Sequence, residues 1–160
     1  MFDLDRVRAS WARESAAIDA ALSMVREADT RQPIRADGWT THDILSHVAQ
    51  ATRAFLRQLQ PDQALLPGTL FDVDDLNAQA RERNQTRAWP DVITYWQRTR
   101  DEVTAFLDSA PPTIGEQAAQ LPWLPQVQTV GDVLRVLILH TRSHREELEH
   151  GWKQAQASSH

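Results

Sequence analysis

The chain contains no cysteine, which removes disulfides, thiolate metal sites and a cysteine nucleophile from consideration. A protein without disulfides fits a reducing compartment, and the expected location is the cytoplasm. Glycine is scarce, five residues in 160, and alternating β-branched runs are nearly absent, so little of the chain reads as sheet. Lysine occurs once, at Lys153, and arginine supplies the rest of the positive charge. The formal net charge is −5 with no basic run, so nucleic acid is not an expected partner. No stretch approaches the ~20 apolar residues of a membrane span. The opening "MFDLDRVRAS" carries acids where a signal peptide needs an apolar core, so a membrane is not expected either.

What is present is a helical pattern. Hydrophobic residues make up 41% and charged residues 24%, the balance of a soluble globular domain long enough to bury its own core. Apolar side chains recur every three or four positions. A first helix is expected over residues 3–28, with Leu4, Val7, Trp11, Ile18, Leu22 and Val25 inward. A second starts at a Thr40 or Thr41 cap, carries Asp43 in its first turn, presents Ile44, Val48, Ala51, Phe55 and Leu59, and stops at Pro61. A short polar helix follows from Asp72. A long one has Pro90 in its first turn and Val92, Trp96, Val103, Phe106 and Leu107 inward. The last runs from a Thr129 cap to Gly151. Four main helices predict an all-α four-helix bundle, a single domain over residues 1–155 with a tail at 156–160.

Two histidines stand four positions apart in "HTRSHREEL". At about 100° per residue, Val133, Leu137, His140, His144 and Leu148 share one narrow arc facing the core, with Arg142 and Glu146 on the opposite, solvent side. Buried imidazoles need partners for their ring nitrogens. His47, at the edge of the second helix's apolar face, offers a third group. Metal sites in bundles are built from inward residues on facing helices, and three neutral imidazoles suit zinc, nickel, copper or iron(II) with a coordination position left over. The competing reading makes His140 and His144 hydrogen-bonded core-edge residues and His47 unrelated to them.

The segments "GWTTHDILSHV" and "TVGDVLRVLILHTRSHREEL" together resemble the two signature regions of the DinB-like (YfiT-like) four-helix-bundle superfamily. The middle segment "FDVDDLNAQARERNQTRAWPDVI" is similar to branches that include the mycothiol-dependent maleylpyruvate isomerase N-terminal domain and the ClbS/DfsB-like proteins. The resemblance implies that His47, His140 and His144 are the ligands of a divalent metal, usually zinc or nickel. It also implies a low-molecular-weight thiol such as mycothiol or bacillithiol, and transfer or isomerisation of a small electrophilic molecule. Hydrolysis of a reactive small molecule, or non-catalytic binding of one, are the rival expectations. The isomerases' separate C-terminal domain has no counterpart in these residues, so maleylpyruvate does not carry over as substrate. Bundles of this kind often pair, which leaves a homodimer open.

Other residues carry weaker signals. Glu147, three residues after His144, is a candidate proton shuttle or a hydrogen-bond partner behind the ligands; a solvent-exposed Glu is the plain alternative. "FDVDDLN" invites a calcium reading, but an EF-hand needs an oxygen ligand fifth, a glycine sixth and a glutamate twelfth. Counted from Asp72 those places hold Leu76, Asn77 and Arg83, so Asp72 is a helix cap. The resemblance puts Asn77 and Arg81 on a cleft wall as substrate-binding residues. Trp11 and Trp96 fall at core phases, whereas Trp39 and Trp123 lie in loops at an open bundle end, where they either shape a substrate pocket or simply pack. His42, His150 and His160 join no constellation. Ser46 and Ser143 are expected to point away from the histidines, which leaves a serine nucleophile without support.

Overall fold

A computed structural model describes residues 2–60, 62, 64 and 72–157. Five α-helices carry these residues: α1 (Leu4–Ser23), α2 (Thr41–Gln58), α3 (Val73–Asn84), α4 (Trp89–Ser109) and α5 (Val130–Ala157). There is no strand among the described residues, and isolated bridges such as Pro33 to Thr40 only pin loops. No helix among them is long and apolar enough to cross a membrane.

The helix starts follow local chemistry. Thr40 caps α2 in a reciprocal box with Asp43, each side chain accepting from the other's backbone N–H. Thr129 Oγ1 accepts from Asp132 N at 3.1 Å and Asp132 Oδ2 accepts from Thr129 N at 3.2 Å, the same device opening α5. Asp72 caps α3 by accepting from Asp75 N, and proline occupies the first turn of α4. The expected stop at Pro61 lies outside the described residues.

Packing follows the apolar stripes, with Ile18, Ile44, Val48, Val92, Trp96, Val103, Val133 and Leu137 fully or almost fully buried. Trp11 and Trp96 meet at the centre with ring centroids 6.3 Å apart. Their indole N–H groups donate to Thr104 and Asp19, so neither ring leaves a buried donor unpaired. Both α1 and α2 pack against α4 and α5. Consecutive helices α1 and α2 therefore stand at opposite corners, and residues 24–40 carry the chain diagonally across one end of the bundle. This crossing lies beside the histidines.

Three expectations change. α1 ends at Ser23 rather than near residue 28, because the chain must leave for α2: buried Thr30 passes its carbonyl to His42 N at 2.9 Å. Arg142, expected on the solvent side, instead donates to Glu14 Oε1 at 3.0 Å, and Arg145 donates to Oε2 at 2.9 Å. Glu14 is only 2% exposed, so this ion pair clamps α1 to α5. Burial pushes the Glu14 carboxyl up, but the two guanidiniums outweigh it and hold its pKa below the usual value.

The third change concerns Gly151, which does not end the last helix. α5 continues to Ala157; residues 158–160 are outside the described residues. Gly151 is buried and has no positive φ. Its missing side chain instead makes room for the crossing loop, since a Cβ there would lie 2.5 Å from Ile34 Cβ and 2.8 Å from Ile34 O. Helix propensity favours Gly151→Ala by about 1 kcal/mol, whereas overpacking of this kind costs about 1–3 kcal/mol. Urea unfolding of Gly151→Ala should therefore show a net loss of stability. A gain would mean that the loop does not press on α5.

Candidate metal centre

Between Leu137 and Leu148, two successive turns of the α5 core stripe carry His140 and His144 in place of aliphatic side chains. α2 faces α5 across the bundle and brings His47 to them. His140 Nε2 lies 3.1 Å from His47 Nε2 and 3.2 Å from His144 Nε2. One ligand nitrogen from each of the three residues lies within 4.8 Å of the others. Two nitrogens each about 2.0–2.1 Å from a tetrahedral zinc would be about 3.3 Å apart, and the two spacings from His140 Nε2 come close to that. All three rings are half-buried, consistent with a centre in the wall of the bundle.

The protonation states sharpen the fit. Burial, reinforced by the neighbouring His144, lowers the pKa of His140 to about 3 and that of His47 to about 4. Both rings are therefore neutral at neutral pH. His144 Nδ1 donates to Glu147 Oε2 at 2.7 Å, which leaves a lone pair on its Nε2. If His140 carries its proton on Nε2, its buried Nδ1 is a bare acceptor without any partner. If the proton is on Nδ1, two lone pairs face each other across 3.2 Å. A cation between the Nε2 atoms removes the clash of lone pairs and leaves only His140 Nδ1 without a partner among the described residues. The donor set fits a divalent metal.

Around the rings the surroundings are apolar on two sides. Phe55 lies edge-on to His140 at 5.6 Å and Trp123 edge-on to Phe55 at 5.9 Å, so Trp123 stands one ring away from the histidines. Trp39, from the crossing loop, meets His47 edge-to-face at 5.6 Å. The polar side is built by Glu147, whose Oε2 also accepts from Arg35 Nη1 at 3.3 Å. Burial raises the Glu147 carboxyl, but the His144 hydrogen bond and the nearby charges prevail and keep its pKa below the usual value. Arg35 in turn stacks over Trp39 at 4.9 Å. Sequence reasoning missed Arg35, which sits in an irregular loop where no periodic signal marks it.

A narrow crevice next to His47 is lined by Trp39, Asp43, Ser46, Asn77, Ala80, Arg81 and Asn84, with about 10 Å³ open to the centre of a water molecule. Asn77 and Arg81 thus join Trp39 there. Arg81 is heavily engaged, donating to Gly38 O at 3.1 Å and Asp43 Oδ2 at 3.2 Å while its guanidinium lies 5.3 Å from the Trp39 ring centre. Ser46 corrects an expectation: its buried hydroxyl lines this crevice beside His47 and has no hydrogen-bond partner. Adjacent helical residues differ by only about 100°, and α3 closes over both of them. Ser143 is exposed. His42, which no motif had singled out, is fully buried with Nε2 2.8 Å from Arg87 O, and fastens α2 to the segment before α4.

Residues 11–149 match the family described as the mycothiol maleylpyruvate isomerase N-terminal domain. The chain belongs to this family. Among solved structures it is similar to YfiT from Bacillus subtilis, described as a probable metal-dependent hydrolase with an unusual four-helix bundle topology. The TM-score is 0.74 at 15% identity, covering 96% of this chain and 87% of that one. A protein from Streptococcus pneumoniae is similar at a TM-score of 0.70 and 12% identity, covering 96% of this chain and 92% of that one. No curated protein matches the chain significantly. The diagonal step from α1 to α2 departs from simple up-and-down order, and the two neighbours share the overall fold.

Removing the carboxylate behind His144 tests the centre without touching a ligand. Glu147→Gln keeps a hydrogen-bond acceptor but loses the charge, and such changes lower metal affinity by about 10–100-fold. Competition of wild type and variant against a chromogenic chelator measures this. Equal affinities would separate Glu147 from the metal site.

Proposed function

We propose that this protein is a metal-dependent enzyme that joins a low-molecular-weight thiol to a small electrophilic molecule, as a transferase or an isomerase. The observation carrying this reading is the convergence of three imidazole Nε2 atoms within 4.8 Å on a bundle wall, with an opening beside His47. Membership of a family described by mycothiol and maleylpyruvate isomerase supports a thiol. A divalent metal, zinc or nickel, would supply a Lewis acid with a free coordination position, lowering the pKa of whatever protic ligand enters there.

The chain's own residues define the rest. His47, His140 and His144 would hold the ion through their ring nitrogens. Glu147 fixes the His144 tautomer from the other ring nitrogen, 2.7 Å away, and is itself held by Arg35. Its carboxylate stands behind the ligand ring, and in this reading it acts as a positioning residue. Trp39, with Asn77 and Arg81, frames the small-molecule entrance, while Phe55 and Trp123 exclude water from the opposite side and strengthen local electrostatics. Water as the acceptor is the second reading, favoured by a crevice with about 10 Å³ open to water centres and by the description of the Bacillus subtilis neighbour as a probable metal-dependent hydrolase.

The bundle core is complete without the histidines, so the metal serves chemistry rather than folding. His144→Ala should abolish metal binding and thiol-dependent activity, yet retain a helical circular dichroism spectrum. An unfolded variant would give the metal a structural role. Cobalt-substituted wild type, titrated with mycothiol and with bacillithiol, should change its visible spectrum with one of them. Indifference to both thiols would replace the transferase reading with the hydrolytic one.

A further inference from the structure

A second groove has no histidine in its lining. It has about 430 Å³ open to water centres and is lined by Gln50, Arg53, Ala54, Arg57, Arg83, Asn84, Arg87 and Tyr95. Four guanidiniums from three segments meet there in a chain whose formal charge is −5. Among the described residues, only Arg53 of the four has a carboxylate partner, Glu102 at 2.8 Å. Arg87 lies over the Tyr95 ring at 5.1 Å. Arg57 and Arg83 make no ion pair among the described residues. Arg53 and Arg57 are also one helical turn apart on α2, a like-charge spacing that disfavours the helix unless an anion lies between them.

The groove adjoins the crevice at His47. Asn84, 7% exposed, lines both spaces and donates to Gln50 at 3.3 Å. His47, Gln50, Arg53 and Arg57 follow one another along a single face of α2. At about 1.5 Å per residue, Arg53 and Arg57 stand about 9 and 15 Å along the helix from His47.

We propose that this arginine groove binds the anionic end, phosphate or carboxylate, of the small molecule whose reacting end lies at His47. The placement of that reacting end rests on the function proposed above; the anion site itself does not. Guanidiniums suit both anions, because their planar fork donates two parallel hydrogen bonds. Such a ligand spans about 9–15 Å between its reacting atom and its charge.

Calorimetric titration of the full chain with inorganic pyrophosphate, and separately with citrate, tests this at low ionic strength. One equivalent of at least one anion should bind; preference for pyrophosphate marks a phosphoryl ligand, and preference for citrate a carboxylate one. Arg57→Ala/Arg83→Ala should weaken binding at least tenfold and leave metal content unchanged, while Arg135→Ala, on the distant exposed face of α5, should change it less than twofold. Both probes chelate metals, so the titration is repeated on His144→Ala, where anion binding should persist. Failure of both anions to bind, an equal loss in Arg135→Ala, or loss of binding in His144→Ala would each overturn the proposal. If anions fail to bind while the metal still loads, the groove reading falls alone. If His144→Ala binds anions and wild type takes up no metal, the metal reading falls alone.

Discussion

His140 Nε2 stands 3.1 Å from His47 Nε2 and 3.2 Å from His144 Nε2, and lone pairs brought this close repel one another unless a cation sits between them. The surrounding structure is arranged to hold them there. Burial keeps His47 and His140 unprotonated, so charge repulsion between imidazoliums does not push the rings apart. Glu147 fixes the proton of His144 on the far nitrogen. Phe55 and Trp39 pack the two rings that have no carboxylate behind them. Each contact costs the rings rotational freedom in advance, which is what preorganises a metal site.

The diagonal path of the chain explains why this centre sits where it does. A bundle with each helix beside its predecessor would join α1 to α2 by a short turn. Here residues 24–40 must cross the bundle end, and the crossing delivers Arg35 to Glu147 and Trp39 to His47. Gly151 permits the crossing by leaving Ile34 its space. The buried Glu14 with Arg142 and Arg145 holds α5 to α1. The polar support of the site thus comes from a loop, while the ligands come from regular helices.

That division accounts for what could be read in advance. The helices were legible because apolar spacing repeats over many turns, and Thr40, Asp72, Pro90 and Thr129 mark their starts. His140 and His144 were legible as a pair because the helical period puts them on the core stripe with Val133 and Leu137. Nothing local distinguishes a Gly151 that ends a helix from one that admits a crossing loop. Arg35 and the full surroundings of Ser46 depend on which segments come together, and the same holds for the four arginines of the groove. No basic run exists in the sequence because those four come from α2, α3 and the segment that follows it. The partner of Arg142 was likewise hidden, since Glu14 lies on another helix.

The central claim is that three imidazoles share one divalent ion and leave it an open position. X-ray absorption on protein purified without an affinity tag, loaded with one equivalent of zinc or nickel, measures this directly. The expected first shell has three imidazole nitrogens at about 2.0–2.2 Å together with at least one exchangeable light atom. His144→Ala should lose that signature. A shell with no imidazole scattering, a fourth protein ligand closing the site, or failure to retain one ion per chain would contradict the assignment.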